Sequence, residues 1–261
     1  MLAFNHLGTL GRLGNQMFQY ASLRGIAAKK GYDFGIPPSN FQDEWRNHQL
    51  FEVFELSNLP QQNVRFLDNG HAPVVQEKKF TYDKELHELC PNDISLWGFF
   101  QTEKYFKNVE DVIRKDFTFK DEILEPCKEM MDSVEGRIIG LHIRRTDFLT
   151  NPNHNFVGLE YYKKALDKFD DSTNVLVLSD DSKWCHEQSL FQDDRFMISD
   201  SESGYIDMCL MSMCTDFIIG NSTFSWWAAW LGNKGKVIAP SNWFPDNKDT
   251  SDLYCNGWEV L

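Results

Sequence analysis

The chain has 261 residues, with 39 acidic against 26 basic side chains and a formal charge of −13 at neutral pH. Such a field repels polyanions and excludes nucleic acid and anionic membrane surfaces as partners. Hydrophobic residues make up 42% and charged residues 25%; this is the balance of a folded, water-soluble chain with a sizeable core, and no stretch reads as a transmembrane segment.

The first 18 residues carry no basic segment, no unbroken apolar run and no small-residue cleavage pattern, so a cytoplasmic location is expected. Without a secretory signal, Asn221-Ser222-Thr223 is not read as a glycosylation site. Six cysteines lack CxxC spacing and read as buried, reduced thiols.

A glycine-bounded turn, Gly11-Arg12-Leu13-Gly14-Asn15-Gln16, opens a helical pattern through Met17, Phe18, Tyr20, Ala21, Leu23, Ile26 and Ala27. Lys29 and Lys30 suit its last turn, and Gly31 makes a natural C-cap. Residues 50–54 form a short strand or helix, residues 94–100 a buried strand, and a helix starts over 102–106. An acidic, irregular stretch near 125–135 marks the boundary between two α/β halves.

The second half is more regular. Residues 137–143 form an apolar strand ending in Arg144-Arg145, and a loop then leads to a helix over about 159–169. Residues 174–178 form a second buried strand, running through Ser179-Asp180-Asp181-Ser182 into another helix. Residues 217–220 form a third, turning at Ser222-Thr223-Phe224-Ser225 into a Trp-rich helix that stops at Gly232; residues 236–240 form a fourth. Short apolar strands alternating with helices mean a doubly wound α/β fold with parallel sheets. Ligands bind such sheets beyond the carboxyl ends of the strands, where three polar clusters fall.

Two adjacent guanidiniums in His142-Ile143-Arg144-Arg145-Thr146-Asp147 suit a diphosphate, since Arg offers planar, permanently charged donors; a structural Arg–Asp ion pair is the plainer alternative. Asn221, Ser222, Thr223 and Ser225 open a helix, where free N–H groups and hydroxyls make an anion site or simply a cap. Trp226 and Trp230 share a helix face and read as packing. Asp180-Asp181 has the look of a metal-binding DxD pair but reads better as a helix cap, hence no metal. Residues 11–16 match no standard phosphate loop. They serve either as a turn or as a place where glycines such as Gly14 admit a ligand to the backbone while Asn15 and Gln16 offer amide contacts.

The segment from Gly11 to Ala21, the His142–Asp147 cluster and Asp216-Phe217-Ile218-Ile219-Gly220-Asn221-Ser222-Thr223-Phe224-Ser225-Trp226-Trp227, in that order, resemble glycosyltransferase family 11, the α-1,2-fucosyltransferases. The likeness runs from near residue 7 to near residue 245. The middle cluster is also similar to the HxRRxD signature of α-1,6-fucosyltransferases, and the first to the GRxGNQ segment of protein O-fucosyltransferases. The resemblance implies a GT-B-like fold of two Rossmann-like halves with parallel sheets facing a cleft. Residues 1–130 would then be the acceptor-side domain and residues 131–261 the GDP-fucose-binding domain.

It further implies GDP-β-L-fucose as donor, a glycan acceptor (a galactoside), inversion to an α-linkage, and no metal or other cofactor. Arg145 would bind the donor diphosphate with Arg144 supporting the loop; His142 would lie on the nucleoside side and Asp207 would accept from the guanine edge. Ser222, Thr223 and Ser225 would hold phosphate oxygens, and Asn15 would lie near the reacting sugar. No carboxylate maps onto a catalytic base; Asp147 and His154, then Glu160, are the candidates. The alternatives are a fucosyltransferase of another linkage or acceptor, α-1,6 or protein O-, or an inactive sugar-binding protein of the same fold.

Overall fold

A computed structural model of the chain describes residues 1–41, 46–246 and 248–261. The chain divides into two compact units: Met1–Lys120 with Asp249–Cys255, and Asp121–Lys248 with Asn256–Leu261.

The first unit contains, in chain order, β1 (Leu2–Ala3), α1 (Leu13–Lys30), β2 (Phe34–Gly35), α2 (Leu50–Val53), β3 (Val74–Gln76), α3 (Lys84–Leu89), β4 (Ile94–Trp97) and α4 (Glu110–Asp116). Its strands pair in the order β2-β1-β4-β3, every pair parallel. The first strand is only two residues long, because Asn5 leaves it to exchange hydrogen bonds with the backbone of Leu67. Helix α1 is buried along nearly its whole length. Its Gly25 lies so close to the segment after β4 that a Cβ would stand 1.9 Å from the carbonyl oxygen of Tyr105. Gly31 ends the helix with φ 65°, a left-handed C-cap as expected.

Two expectations are corrected here. Residues 13–16 are already the first turn of α1, so only Gly11 and Arg12 remain as the turn. Residues 125–135 are not irregular; most of them belong to α5 (Asp121–Asp132), which buries Ile123 and Cys127 one helical turn apart. The division therefore falls at Lys120 and Asp121 rather than at 130, since α5 turns that face toward the second unit: the Cys127 thiol donates to the carbonyl of Ile206.

The second unit continues with β5 (Ile138–Ile143), α6 (Leu159–Leu166), β6 (Asn174–Ser179), α7 (Ser182–Glu187), β7 (Phe196–Ile198), α8 (Gly204–Met213), β8 (Asp216–Ile218), α9 (Thr223–Gly232), β9 (Val237–Ala239) and β10 (Glu259–Val260). The sheet order is β10-β9-β8-β5-β6-β7, all parallel. Numbered within this unit, that is the doubly wound order 3-2-1-4-5-6 read from β7, and its winding reverses between β5 and β8. The interior of β5 and β6 is fully buried, which explains their unbroken apolar runs. Trp226, Trp227 and Trp230 pack together and against Trp258, so the Trp-rich helix is core. The six cysteines are free thiols, five of them buried. Among the described residues no helix is long and apolar enough to cross a membrane.

Candidate active site

The reversal point between β5 and β8 is where this topology leaves a crevice at the carboxyl ends of its strands. The β5–β6 register sets His142 opposite Leu178 and Ile143 opposite Ser179. The two strands therefore run out together, and Arg144 to Thr146 emerge beside Asp180 and Asp181. The Arg145 N–H donates to Asp180 Oδ1 at 2.8 Å, and the Thr146 hydroxyl donates to Asp180 Oδ2. Arg144 bridges Asp147 at 2.5 Å and Asp180 at 3.1 Å.

Arg145 is held differently. Its Nε–H donates to Asp181 Oδ2 at 2.9 Å, and its guanidinium lies 4.3 Å from the Trp184 ring centroid and 5.5 Å from that of Phe156. Its two terminal amino groups make no hydrogen bond among the described residues. Asp181 does double duty, because it also caps α7 by accepting from the Trp184 N–H at 3.2 Å. The ion-pair reading thus holds for both arginines, and Arg145 still presents four N–H donors to an anion.

His142 is buried and stacks on Phe224 at 4.8 Å. Burial, then the Arg144 charge, pull its pKa down to about 3, so it stays neutral, and its Nδ1 is buried with no partner. Between β8 and α9 the chain passes close to the end of β5: a Cβ on Gly220 would meet the His142 carbonyl oxygen at 3.0 Å. Ser222 caps α9 by accepting from the Phe224 N–H at 3.3 Å. Asn221 is buried, donating to the carbonyls of Asn155 and Trp243, so its amide fastens loops together. Ser225 is also fully buried, donating to Gly220 and Ser222 carbonyls. Of the three serine and threonine residues expected to face phosphate, Ser222 and Thr223 are half-buried at the turn and Ser225 is fully buried.

Beyond β7, Ser199 donates to Asp207 Oδ1 at 2.7 Å. Burial pushes the Asp207 carboxyl up to about 6 against the pull of that hydroxyl. Asp147 and His154 come together around Arg144. The His154 ring lies flat on Phe148 at 4.1 Å, and burial holds its pKa below the ordinary value against the opposing field of Asp147. Glu160 does not join them; it is exposed on the first turn of α6 and pairs with Lys163.

In the first unit, Gln16 is fully buried, donating to the Asn47 carbonyl and accepting from the Gln49 N–H. That corrects the expectation of a ligand-facing amide at Gln16: both ends of the side chain are occupied by backbone. Gly14 is buried in the same helical turn. Asn15 is half-buried, and its Oδ1 accepts from Gln101 Nε2 at 2.9 Å. Sequence reasoning missed Gln101 and the role of Asp180 as anchor of the arginine loop. Strands β5 and β6 are each six residues long and pair end to end, which brings the polar residues after them level.

The family model described as Glycosyl transferase family 11 matches residues 3–261. This chain belongs to glycosyl transferase family 11. Within the family it is 29% identical to the O-antigen biosynthesis glycosyltransferase WbnK of Escherichia coli, over 95% of this chain and 97% of that one. It is also 29% identical to an alpha-1,2-colitosyltransferase of Escherichia coli, over 90% of each. The human galactoside alpha-(1,2)-fucosyltransferase 1 is 26% identical over 91% of this chain and 68% of its own length. Among solved structures, the NodZ alpha-1,6-fucosyltransferase co-crystallized with GDP superposes with a TM-score of 0.59 at 13% identity, covering 92% of this chain and 94% of that one. The family 11 chain therefore has the GT-B-like α/β fold with parallel sheets that its motifs led one to expect.

Proposed function

We propose that this family 11 enzyme transfers L-fucose from GDP-β-L-fucose to the 2-hydroxyl of a galactoside, with inversion and without a metal ion. The observation that carries the reading is the state of Arg145: clamped at Nε by Asp181, stacked on Trp184, and open at its terminal amino groups at the sheet's reversal point. Relatives named as α-1,2-transferases support the linkage. The colitosyltransferase name favours one second reading, colitose in place of fucose.

In the transfer, the bond from sugar C1 to the phosphate oxygen breaks and C1 bonds to the acceptor oxygen. The leaving diphosphate gains negative charge, and the open donors of Arg145 with the α9 N-terminus at Ser222 and Thr223 stabilise it, as an oxyanion hole does. Asp180 and Arg144 keep that loop in place. The acceptor proton passes to a base of the 147–154 loop, either Asp147, which pairs with Arg144, or neutral His154. Neutral His142 offers an uncharged ring toward the nucleoside, and Asp207 accepts from the N–H groups of guanine.

Incubation with GDP-fucose and a β-galactoside should release GDP and yield a 1,2-linked product, equally well in excess EDTA. Activity abolished by EDTA and rescued by Mn²⁺ would return Asp180 and Asp181 to a metal-binding role. A preference for GDP-colitose would favour the second reading.

The Asp207 role carries its own pH signature. Only the ionised carboxylate accepts from guanine, so GDP affinity should fall about tenfold from pH 7 to pH 5, as Asp207 protonates around 6. Stability moves the other way: a carboxyl with a raised pKa contributes stability that is full below its unfolded value and is lost as pH rises through about 6. Calorimetric titration of GDP across that range checks this; an Asp207→Asn variant should bind weakly and without the pH slope.

A further inference from the structure

Helix α1 carries a polar stripe inside the first unit: Asn15, Gln19 and Ser22, at i, i+4 and i+7 on one face. All three hold the segment that follows β4. Gln19 Nε2 donates to the Gly98 carbonyl at 3.1 Å, Ser22 Oγ to the Phe100 carbonyl at 3.3 Å, and Asn15 Oδ1 accepts from Gln101. From the other side Glu77, the residue after β3, receives the Phe99 N–H on Oε2 at 2.8 Å and the Phe100 N–H on Oε1 at 2.9 Å.

The gripped segment is strained. Phe100 is fully buried with φ 53°, a left-handed conformation that a bulky side chain rarely adopts, and Gly98 has φ 153°. Such a backbone persists only where its surroundings over-determine it. A Cβ at Gly98 would stand 2.4 Å from the Glu77 Cβ, so the carboxylate side chain fits only because residue 98 is glycine. The strained turn leads directly to Gln101, which is 6% exposed and whose Oε1 has no hydrogen-bond partner. A buried carbonyl without a donor is costly, and a donor such as a ligand hydroxyl relieves it.

We propose that Glu77 is a positioning residue for sugar transfer: by clamping residues 98–100 it sets the Gln101 and Asn15 amides as a pair that receives a saccharide hydroxyl. This rests on the reading of the chain as a transferase acting on a sugar near Asn15. Both Glu77 oxygens act as acceptors, so the clamp needs a carboxylate; an amide of the same shape would oppose one N–H with another.

The test is Glu77→Gln in the full chain, compared with Gln101→Ala. The side-chain amide NMR signals of Asn15 and Gln101 should shift in Glu77→Gln, a readout that does not depend on activity. GDP affinity should stay within about twofold, whereas kcat/KM for the galactoside should fall about tenfold, the loss of one hydrogen bond. The double variant should be no worse than the weaker single one, because both act on the same contact. Unmoved amide signals, an equal loss of GDP affinity, or additive losses overturn the proposal. If Glu77→Gln does not fold, Gln101→Ala alone decides: acceptor kinetics like those of the parent chain refute the hydroxyl site. A parent chain that neither binds GDP nor turns over defeats the transferase reading, while the amide signals still test the clamp.

Discussion

Turnover of Arg145→Ala is expected to fall by about 10²–10³-fold, the loss seen when a preorganised donor to a developing anion is removed. The cause is local. Arg145 is fixed by Asp181 on one side and by the Trp184 and Phe156 rings on the other, so its terminal amino groups are already aimed before a ligand arrives. The same contacts contribute little to folding: the pair is partly exposed on both sides, and such pairs with an added cation–π contact total no more than about 2 kcal/mol. Lysine keeps the charge but cannot donate sideways to Asp181 while presenting a fork outward, so Arg145→Lys should recover no more than about a tenth of the rate. Loss of either Asp147 or His154 alone should cost less, since the two lie on one loop and the one that remains still takes the acceptor proton. Steady-state kinetics with GDP-fucose decide the matter. An alanine variant within about threefold of the parent rate removes Arg145 from the mechanism.

Asp116→Ala should cost about 3–5 kcal/mol of stability, a large share of the roughly 5–15 kcal/mol that domains possess. Asp116 is fully buried at the end of α4, and three groups converge on it: the Tyr20 hydroxyl at 2.8 Å, Arg24 at 3.0 Å and the Asn58 N–H at 3.1 Å. Tyr20 and Arg24 sit one turn apart on α1, so a single carboxylate fastens the helix that bears Asn15. Removing it leaves the Arg24 guanidinium, only 12% exposed, without its counter-charge. Urea denaturation measures the loss. A cost below about 1 kcal/mol would mean that water enters and replaces the carboxylate.

The sequence was most readable where one physical signal dominated. Strands β5 and β6 and the strand before Asn221 are buried on both faces, so they announce themselves as apolar runs; Gly31 caps α1, and α9 ends at Gly232 as the sequence indicates, with Asn233 as its left-handed cap. Strands β3 and β7 escaped because their residues are exposed or half-buried and only three long; pairing with a neighbour, not their own composition, makes them strands. The acidic stretch near 130 looked irregular because its charges mask two inward-facing positions, Ile123 and Cys127. At the site, residue type indicated which groups can bind an anion but not which are already taken. Gln16, Asn221 and Ser225 carry suitable donors and lie in the right segments, yet each is tied to backbone. Arg145 differs from Arg144 by one position and by the partner that the β5–β6 register assigns to it. Such distinctions are tertiary, and no local pattern encodes them.

The last turns of the chain carry a practical lesson for dissecting the enzyme. After β9 the polypeptide returns to the first unit for residues Asp249–Cys255, where Asp252 meets the Tyr82 N–H and Lys104, before β10 rejoins the second sheet. A single scission at 120 therefore yields one fragment missing a strap and another trailing it unpaired. Fragments 1–120 and 121–261 should regain structure when co-expressed, by complementation, far better than either does by itself.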